Sequence, residues 1–182
     1  GKLIVVRDHQ GQSTIEALSA SSGKTLWKKP RDEGNAWATP VVAVYDGTTQ
    51  VITAASNFVR AYDLKDGSLI WQCSGLTGNA TPCPIVDGKH VIVMSGYKGH
   101  SVMRIPITHT GDISEMDKVA WRQTRGTPYV PSPVLYENML FYNQSNQGIW
   151  TVLNATSGEI IMDRTRLPGI ANMYSSPVAA NG

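Results

Sequence analysis

Four histidines, two cysteines and 14 acidic residues are the groups of this chain that could ligate a metal, attack a substrate or move a proton. A metal site needs three or four such side chains converging on one point, and nucleophilic catalysis needs a nucleophile beside an oriented base. Neither pattern is legible. His9, His90, His100 and His109 have no ligand spacing and read as loop or surface residues. Cys73 and Cys83 form no metal-ligand pattern and no disulfide framework; they read as two small buried thiols, with a bond between them as the alternative. The chain has no Gly-x-Ser-x-Gly elbow, no His-Glu-x-x-His helix and no phosphate loop. Asp8, Glu16, Asp32, Glu33, Glu115 and Asp117 stand mostly in turn-like contexts, where a solvated carboxylate is the default. Net charge is +2 with Lys and Arg dispersed, so no basic stripe suggests nucleic acid. No apolar run approaches a membrane span, and no leader-like segment is present. The chain opens inside a strand-like run, Leu3 to Val6, and stops at Gly182 just after another. It is therefore expected to be a piece of a longer protein, and the missing targeting signal says nothing about location.

The elements that would position these groups follow from an internal repeat, which has to be found first because it decides the fold. A small residue, proline and an apolar pair recur as Thr39-Pro40-Val41-Val42, Cys83-Pro84-Ile85-Val86, Ser132-Pro133-Val134-Leu135 and Ser176-Pro177-Val178-Ala179, with prolines 44, 49 and 44 residues apart. A turn glycine recurs at Gly23, Gly67, Gly111 and Gly158, spaced 44, 44 and 47. Tryptophan follows at Trp27, Trp71 and Trp121, and Met162 takes that place in the fourth copy. Between these landmarks the chain alternates apolar and polar residues in short β-rich runs. Asp46-Gly47, Asp66-Gly67, Asp87-Gly88 and Ser157-Gly158 supply the positive φ that tight hairpins need.

Four-stranded units of this length predict an all-β protein, a β-propeller of antiparallel blades. A lone four-stranded sheet leaves both faces bare, whereas blades around an axis cover one another. Residues 1–182 form one propeller segment, with blades near 1–30, 38–73, 81–124 and 131–165 and a closing strand at 176–180. Trp27, Trp71 and Trp121 are expected to dock between neighbouring blades. Four blades point to part of a seven- or eight-bladed ring, or to half of a ring made by two copies, since unpaired edges and bare faces favour self-association.

The stretch Ala61-Tyr62-Asp63-Leu64-Lys65-Asp66-Gly67-Ser68-Leu69-Ile70-Trp71 resembles the tryptophan-docking motif of pyrroloquinoline-quinone (PQQ) repeat propellers, Ala-x-Asp-x-x-Thr-Gly-x-x-x-Trp. Ala17 to Trp27 matches it with the Asp replaced, and Val152 to Gly158 matches its first half. The family includes quinoprotein alcohol dehydrogenases, the lipoprotein of the bacterial outer-membrane assembly machine, and uncharacterised exported groups, which this chain most resembles. In the dehydrogenases the resemblance implies PQQ over the axis, calcium held by Glu and Asn, a catalytic Asp, an Arg at the quinone oxygens and a ring of two adjacent cysteines. Cys73 and Cys83 depart from that last feature, so neither PQQ nor calcium is expected here, and no residue is assigned a catalytic or metal-binding role. The family implies a bacterial protein that is periplasmic or extracellular.

In such a ring, the loops before each first strand share a face with the loops between second and third strands. That face would gather Arg7, Asp8, His9, Asp32, Trp37, Arg125, Tyr129 and Tyr174, types suited to a protein, polar or carbohydrate ligand. The expected function is a non-catalytic binding or scaffold module. A fragment of a PQQ-dependent oxidoreductase and a carbohydrate-active or carbohydrate-binding propeller are the alternatives.

Overall fold

A computed structural model describes residues 1–181, which hold four sheets, antiparallel but for one short edge strand, and one short 3-10 turn (Met116–Lys118) as their regular structure. The first blade has three strands, β1 (Lys2–Arg7), β2 (Ser13–Ser19) and β3 (Thr25–Arg31). The second runs β4 (Val41–Tyr45), β5 (Thr48–Ala54), β6 (Val59–Asp63) and β7 (Leu69–Cys73). The third is β8 (Ile85–Asp87), β9 (His90–Ser95), β10 (Ser101–Pro106) and, after a two-residue strand β11 (Gly111–Asp112), β12 (Trp121–Gln123). The fourth is β13 (Val134–Tyr136), β14 (Met139–Asn143), β15 (Ile149–Asn154) and β16 (Ile160–Arg166). This is the meander of a propeller, about four blades long.

Local chemistry sets the turns. Between β4 and β5 two residues reverse the chain, Asp46 and Gly47, with φ of 47° and 73°. Glu137 and Asn138 do the same between β13 and β14, at 48° and 62°. Left-handed φ at both positions matches the twist of the flanking strands. The turns from third to fourth strand follow one pattern in three blades: the N–H groups of Gly23, Gly67 and Gly158 donate to the carbonyls of Ser19, Asp63 and Asn154, each at 2.8 Å.

The core lies between blades. The forward face of each sheet meets the rear face of the next, as Ile92, Met94 and Val102 meet Leu140, Tyr142 and Leu153. Tryptophan docking accounts for the repeat spacing. Trp27 packs over Gly67, where a Cβ would stand 2.6 Å from the indole, and its N–H donates to the Leu64 carbonyl at 3.1 Å. Trp121 does likewise over Gly158, where a Cβ would lie 2.7 Å away, and donates to the Ala155 carbonyl at 2.9 Å. Both glycines also hold positive φ (74° and 72°), so a side chain there meets strain and a clash together.

Trp71 docks differently. Its N–H donates to Gln50 Oε1 at 2.9 Å, and Gln50 Nε2 donates to the Ile107 carbonyl at 3.0 Å. Ile107 holds the position after the third strand that Leu64 and Ala155 hold in their blades, so the glutamine spans a gap that the other tryptophans close directly. The cause is the third blade's route between β10 and β12. Gly111 was expected in a tight turn, but it lies in β11, which pairs in parallel with Trp71 and Gln72 of β7 as a fifth, outermost strand of the second sheet. Ile113 N–H donates to the Gln72 carbonyl and Ser74 N–H to Ser114 Oγ, at 2.8 and 2.9 Å. The 49-residue proline interval belongs to this blade, which carries the excursion. Residues 176–180, expected as a strand, have no ladder partner within the described residues.

Candidate functional site

The loops that enter each blade and those joining its second and third strands do share a face, stitched by hydrogen bonds. Asn57 and Phe58 N–H donate to the Glu33 carboxylate at 2.8 and 3.1 Å, and Ser56 Oγ donates to the Asn35 carbonyl at 3.0 Å. Asn79 N–H reaches Ser56 Oγ, Thr77 N–H reaches Ser95 Oγ, and Thr127 Oγ1 donates to the Ser95 carbonyl at 2.6 Å. Tyr129 N–H donates to the Ser145 carbonyl and Met173 N–H to the Asn146 carbonyl, at 2.9 and 2.8 Å.

At the junction of the first two blades this face carries a buried ionic network. Arg31, at the end of β3, grips Asp8 through Nε and Nη2 at 2.8 and 2.9 Å, and Nη1 donates to Thr53 Oγ1 and Tyr62 Oη at 3.0 and 2.7 Å. Both charged side chains are at most 1% exposed. Arg60 of β6 donates to Glu33 at 2.6 Å, to Gln72 Oε1 at 3.2 Å and to Asp32. A charge removed from water is tolerable only with such partners. Burial works against the Arg31 charge, but the hydrogen bond and field of Asp8 leave its pKa raised. Burial pushes the Glu33 carboxyl up, opposed by the Asn57 N–H and the two guanidiniums. Tyr62 is raised by burial as well, against the pull of Arg31.

The residues singled out in the sequence divide into three groups. Asp8 is sealed against Arg31, whereas Asp32 pairs with Arg60 while its carboxylate faces solvent. Arg7 pairs with Glu16 at 2.8 Å and Arg125 with Asp163 at 3.3 Å, both arginine side chains being exposed, and His9 is exposed. Two of the aromatics are presented outward, Trp37 at 57% and Tyr174 at 65% exposed, while half-buried Tyr129 stacks on Tyr97 with centroids 4.7 Å apart. Trp37, Tyr129 and Tyr174 belong to three different entering loops, so the face carries them apart rather than in one pocket. Sequence reasoning missed Arg31 and Arg60. Their only signal is a charge inside a β-rich run, at the strand end where loops converge.

These residues do not fit a quinone and calcium site. The face's carboxylates Asp8 and Glu33 and both arginines hold one another, and Cys73 and Cys83 are free thiols in different blades. Among the described residues no group of three or more His, Cys, Asp or Glu could hold a metal ion. No described helix is long and apolar enough to cross a membrane.

Comparison with known proteins agrees with this architecture. No curated protein matches the chain. Among solved structures it is similar to BamB from Moraxella catarrhalis, at 14% identity over 88% of this chain and 52% of that one, TM-score 0.57. It is similar to quinohemoprotein alcohol dehydrogenase from Comamonas testosteroni, at 13% identity over 94% of this chain and 34% of that one, TM-score 0.66. The computationally designed protein Ika8 matches at 12% identity over 98% of this chain and 53% of its own, TM-score 0.59. At these identities the likeness is one of fold, and the chain spans about half or less of each structure. The family model described as outer membrane protein assembly factor BamB matches residues 1–164, and the chain, with its PQQ-type repeats, belongs to that family.

Proposed function

We propose that the chain is a segment of a non-catalytic, exported bacterial propeller that serves as a binding or scaffold module and takes a protein partner on its loop face. The observation that carries this reading is the division of labour on that face. The charged groups with chemical potential, Asp8, Arg31, Glu33 and Arg60, are spent on one another, while Trp37, Tyr97 and Tyr174 stand outward and half-buried Tyr129 stacks on Tyr97. Exposed aromatics on a rigid scaffold are what protein interfaces use as anchors. The family description, an assembly factor for outer membrane proteins, supports a partner that is itself a protein and a location beyond the inner membrane.

A photo-crosslinking amino acid placed at Trp37 or Tyr129, in bacterial envelope preparations, tests this. Adducts are expected from both positions and not from Lys65, which lies in a β6–β7 turn at the opposite end of the strands. Equal labelling from Lys65, or none from the loop face, would overturn it. The quinoprotein reading draws on the likeness to the alcohol dehydrogenase. A bound quinone absorbance on adding PQQ and calcium would favour it. Binding of a defined sugar on a glycan array would favour the carbohydrate reading instead.

A further inference from the structure

We propose that Met116 is an oxidation site whose sulfoxide is gripped by Arg122, so that a peroxide-class oxidant tightens the excursion between β10 and β12. Three observations carry it, all from the second and third blades.

The first is accessibility. Of the six methionines, Met116 is 62% exposed, whereas Met94 and Met103 are sealed in the core and Met139, Met162 and Met173 are half-buried. It opens the 3-10 turn, none of whose residues is buried. A thioether held in water meets an oxidant sooner than one packed between sheets.

The second is the guanidinium beside it. Arg122 Nη1 lies 4.0 Å from Met116 Sδ. The other arginines that are not exposed, Arg31, Arg60 and Arg104, each hold a carboxylate. Arg122 has no carboxylate partner among the described residues. Its Nη2 donates to the Gly75 carbonyl at 2.9 Å, and its buried Nε has no acceptor. A guanidinium carries five N–H donors, and here a weak thioether acceptor stands where a carboxylate stands at the others.

The third is what a stronger bond would hold. Between β11 and β12 the turn is secured by two main-chain bonds, Lys118 N–H to the Glu115 carbonyl at 3.1 Å and Val119 N–H to the Met116 carbonyl at 3.4 Å. The pair Lys118–Glu115, at 3.2 Å, is exposed and adds little. Arg122 stands in β12 and reaches, through Gly75, the chain that leaves β7. A bond from Met116 to Arg122 therefore ties the turn to both blades.

Oxidation supplies that bond. The sulfur attacks one oxygen of hydrogen peroxide, the O–O bond breaks and an S–O bond forms. Sulfur loses two electrons, the peroxide is reduced, and its second oxygen leaves as water with the proton of the first. The sulfoxide oxygen is a strong acceptor mounted on the atom that Nη1 already faces. A loose contact to sulfur becomes an N–H···O bond of about 2.7–3.2 Å to a charged donor. In a core the same polar product would disrupt packing, but Met116 is outside the core.

Hydrogen peroxide applied to the folded chain, read by peptide mass spectrometry, should add oxygen to Met116 before any other methionine. Hydrogen exchange at the Ile113, Lys118 and Val119 amides should then slow by about tenfold, as one bond to a charged group implies. Met116→Gln places an amide oxygen there without oxidant and should slow the same amides. Arg122→Leu should leave the oxidation intact and remove the slowing. Another methionine reacting first, exchange quickened by oxidation, or slowing that persists in Arg122→Leu would each overturn the proposal. Should Arg122→Leu not fold, Met116→Gln decides, and unchanged or faster exchange there overturns it as well. None of these results bears on whether the loop face binds a protein.

Discussion

Trp71 is the point where the inter-blade packing argument can be broken most cleanly. The side chain is wholly buried between the second and third blades, among Val91, Val93 and Ile105 in the same cluster. Truncating a core tryptophan to alanine costs about 3–5 kcal/mol in lost transfer free energy and the cavity left behind. Here a second loss follows, because Gln50 is itself buried and its Oε1 then has no donor. An orphaned buried polar group costs about 1–3 kcal/mol. Trp71→Ala should thus destabilise by about 4–8 kcal/mol, a large part of the roughly 5–15 kcal/mol that holds a domain. Urea unfolding followed by far-ultraviolet circular dichroism should show the midpoint falling by about 2 M or more. Trp71→Phe separates the two contributions: it keeps an aromatic ring and should cost only about 1–3 kcal/mol, chiefly the orphaned amide. Adding Gln50→Leu to Trp71→Phe should recover part of that loss, since removing both partners leaves nothing unpaired on the side-chain pair. A Trp71→Ala loss below about 1 kcal/mol would refute the idea that this indole locks the blades together.

The ionic network and the thiols make separate predictions. Arg31→Met leaves Asp8 sealed without its partner and should cost about 3–5 kcal/mol in the same urea assay, while an effect near zero would show the pair to be dispensable. Burial pushes the Cys73 thiol up to about 11 and the side chain is inaccessible, whereas Cys83 is partly exposed. Iodoacetamide at pH 8 should therefore label Cys83 in the folded protein and spare Cys73 until the protein is unfolded, and mass spectrometry of the peptides reads this directly. Equal rates in the native state would contradict the burial.

The fold was legible because a repeat announces itself several times over. Pro40, Pro84 and Pro133 each precede a first strand, and Trp27, Trp71 and Trp121 each sit in the last strand of a blade, so one landmark checks another. What could not be read was any event occurring once. Gly111 looked like its counterparts because a glycine of positive φ serves a turn or a parallel edge strand equally well, and only the partner strand decides. Gln50 gave no hint that it would carry Trp71's hydrogen bond to Ile107, since that depends on a distance set by the neighbouring blade's detour. The loop face was placed correctly as a set of loops, yet its charges were misread as surface. Asp8 and Glu33 stand in turn-like sequence, and their burial follows from two arginines that arrive from β3 and β6, far away along the chain. Trp37 and Tyr174 were legible as types on separate entering loops, but not their exposure of 57% and 65%.

The strand that crosses from the third blade to the edge of the second alters how force and unfolding would travel along the stack. A row of modules coupled only to nearest neighbours opens at its weakest junction. The last junction rests on a docked indole and side-chain contacts and the first adds the buried Arg31 and Arg60 network, whereas the middle one adds a backbone ladder that cannot be shed without unpairing β11 from β7. The four blades are then unequal links, with the second and third welded together by main chain and their neighbours held to them by side chains alone.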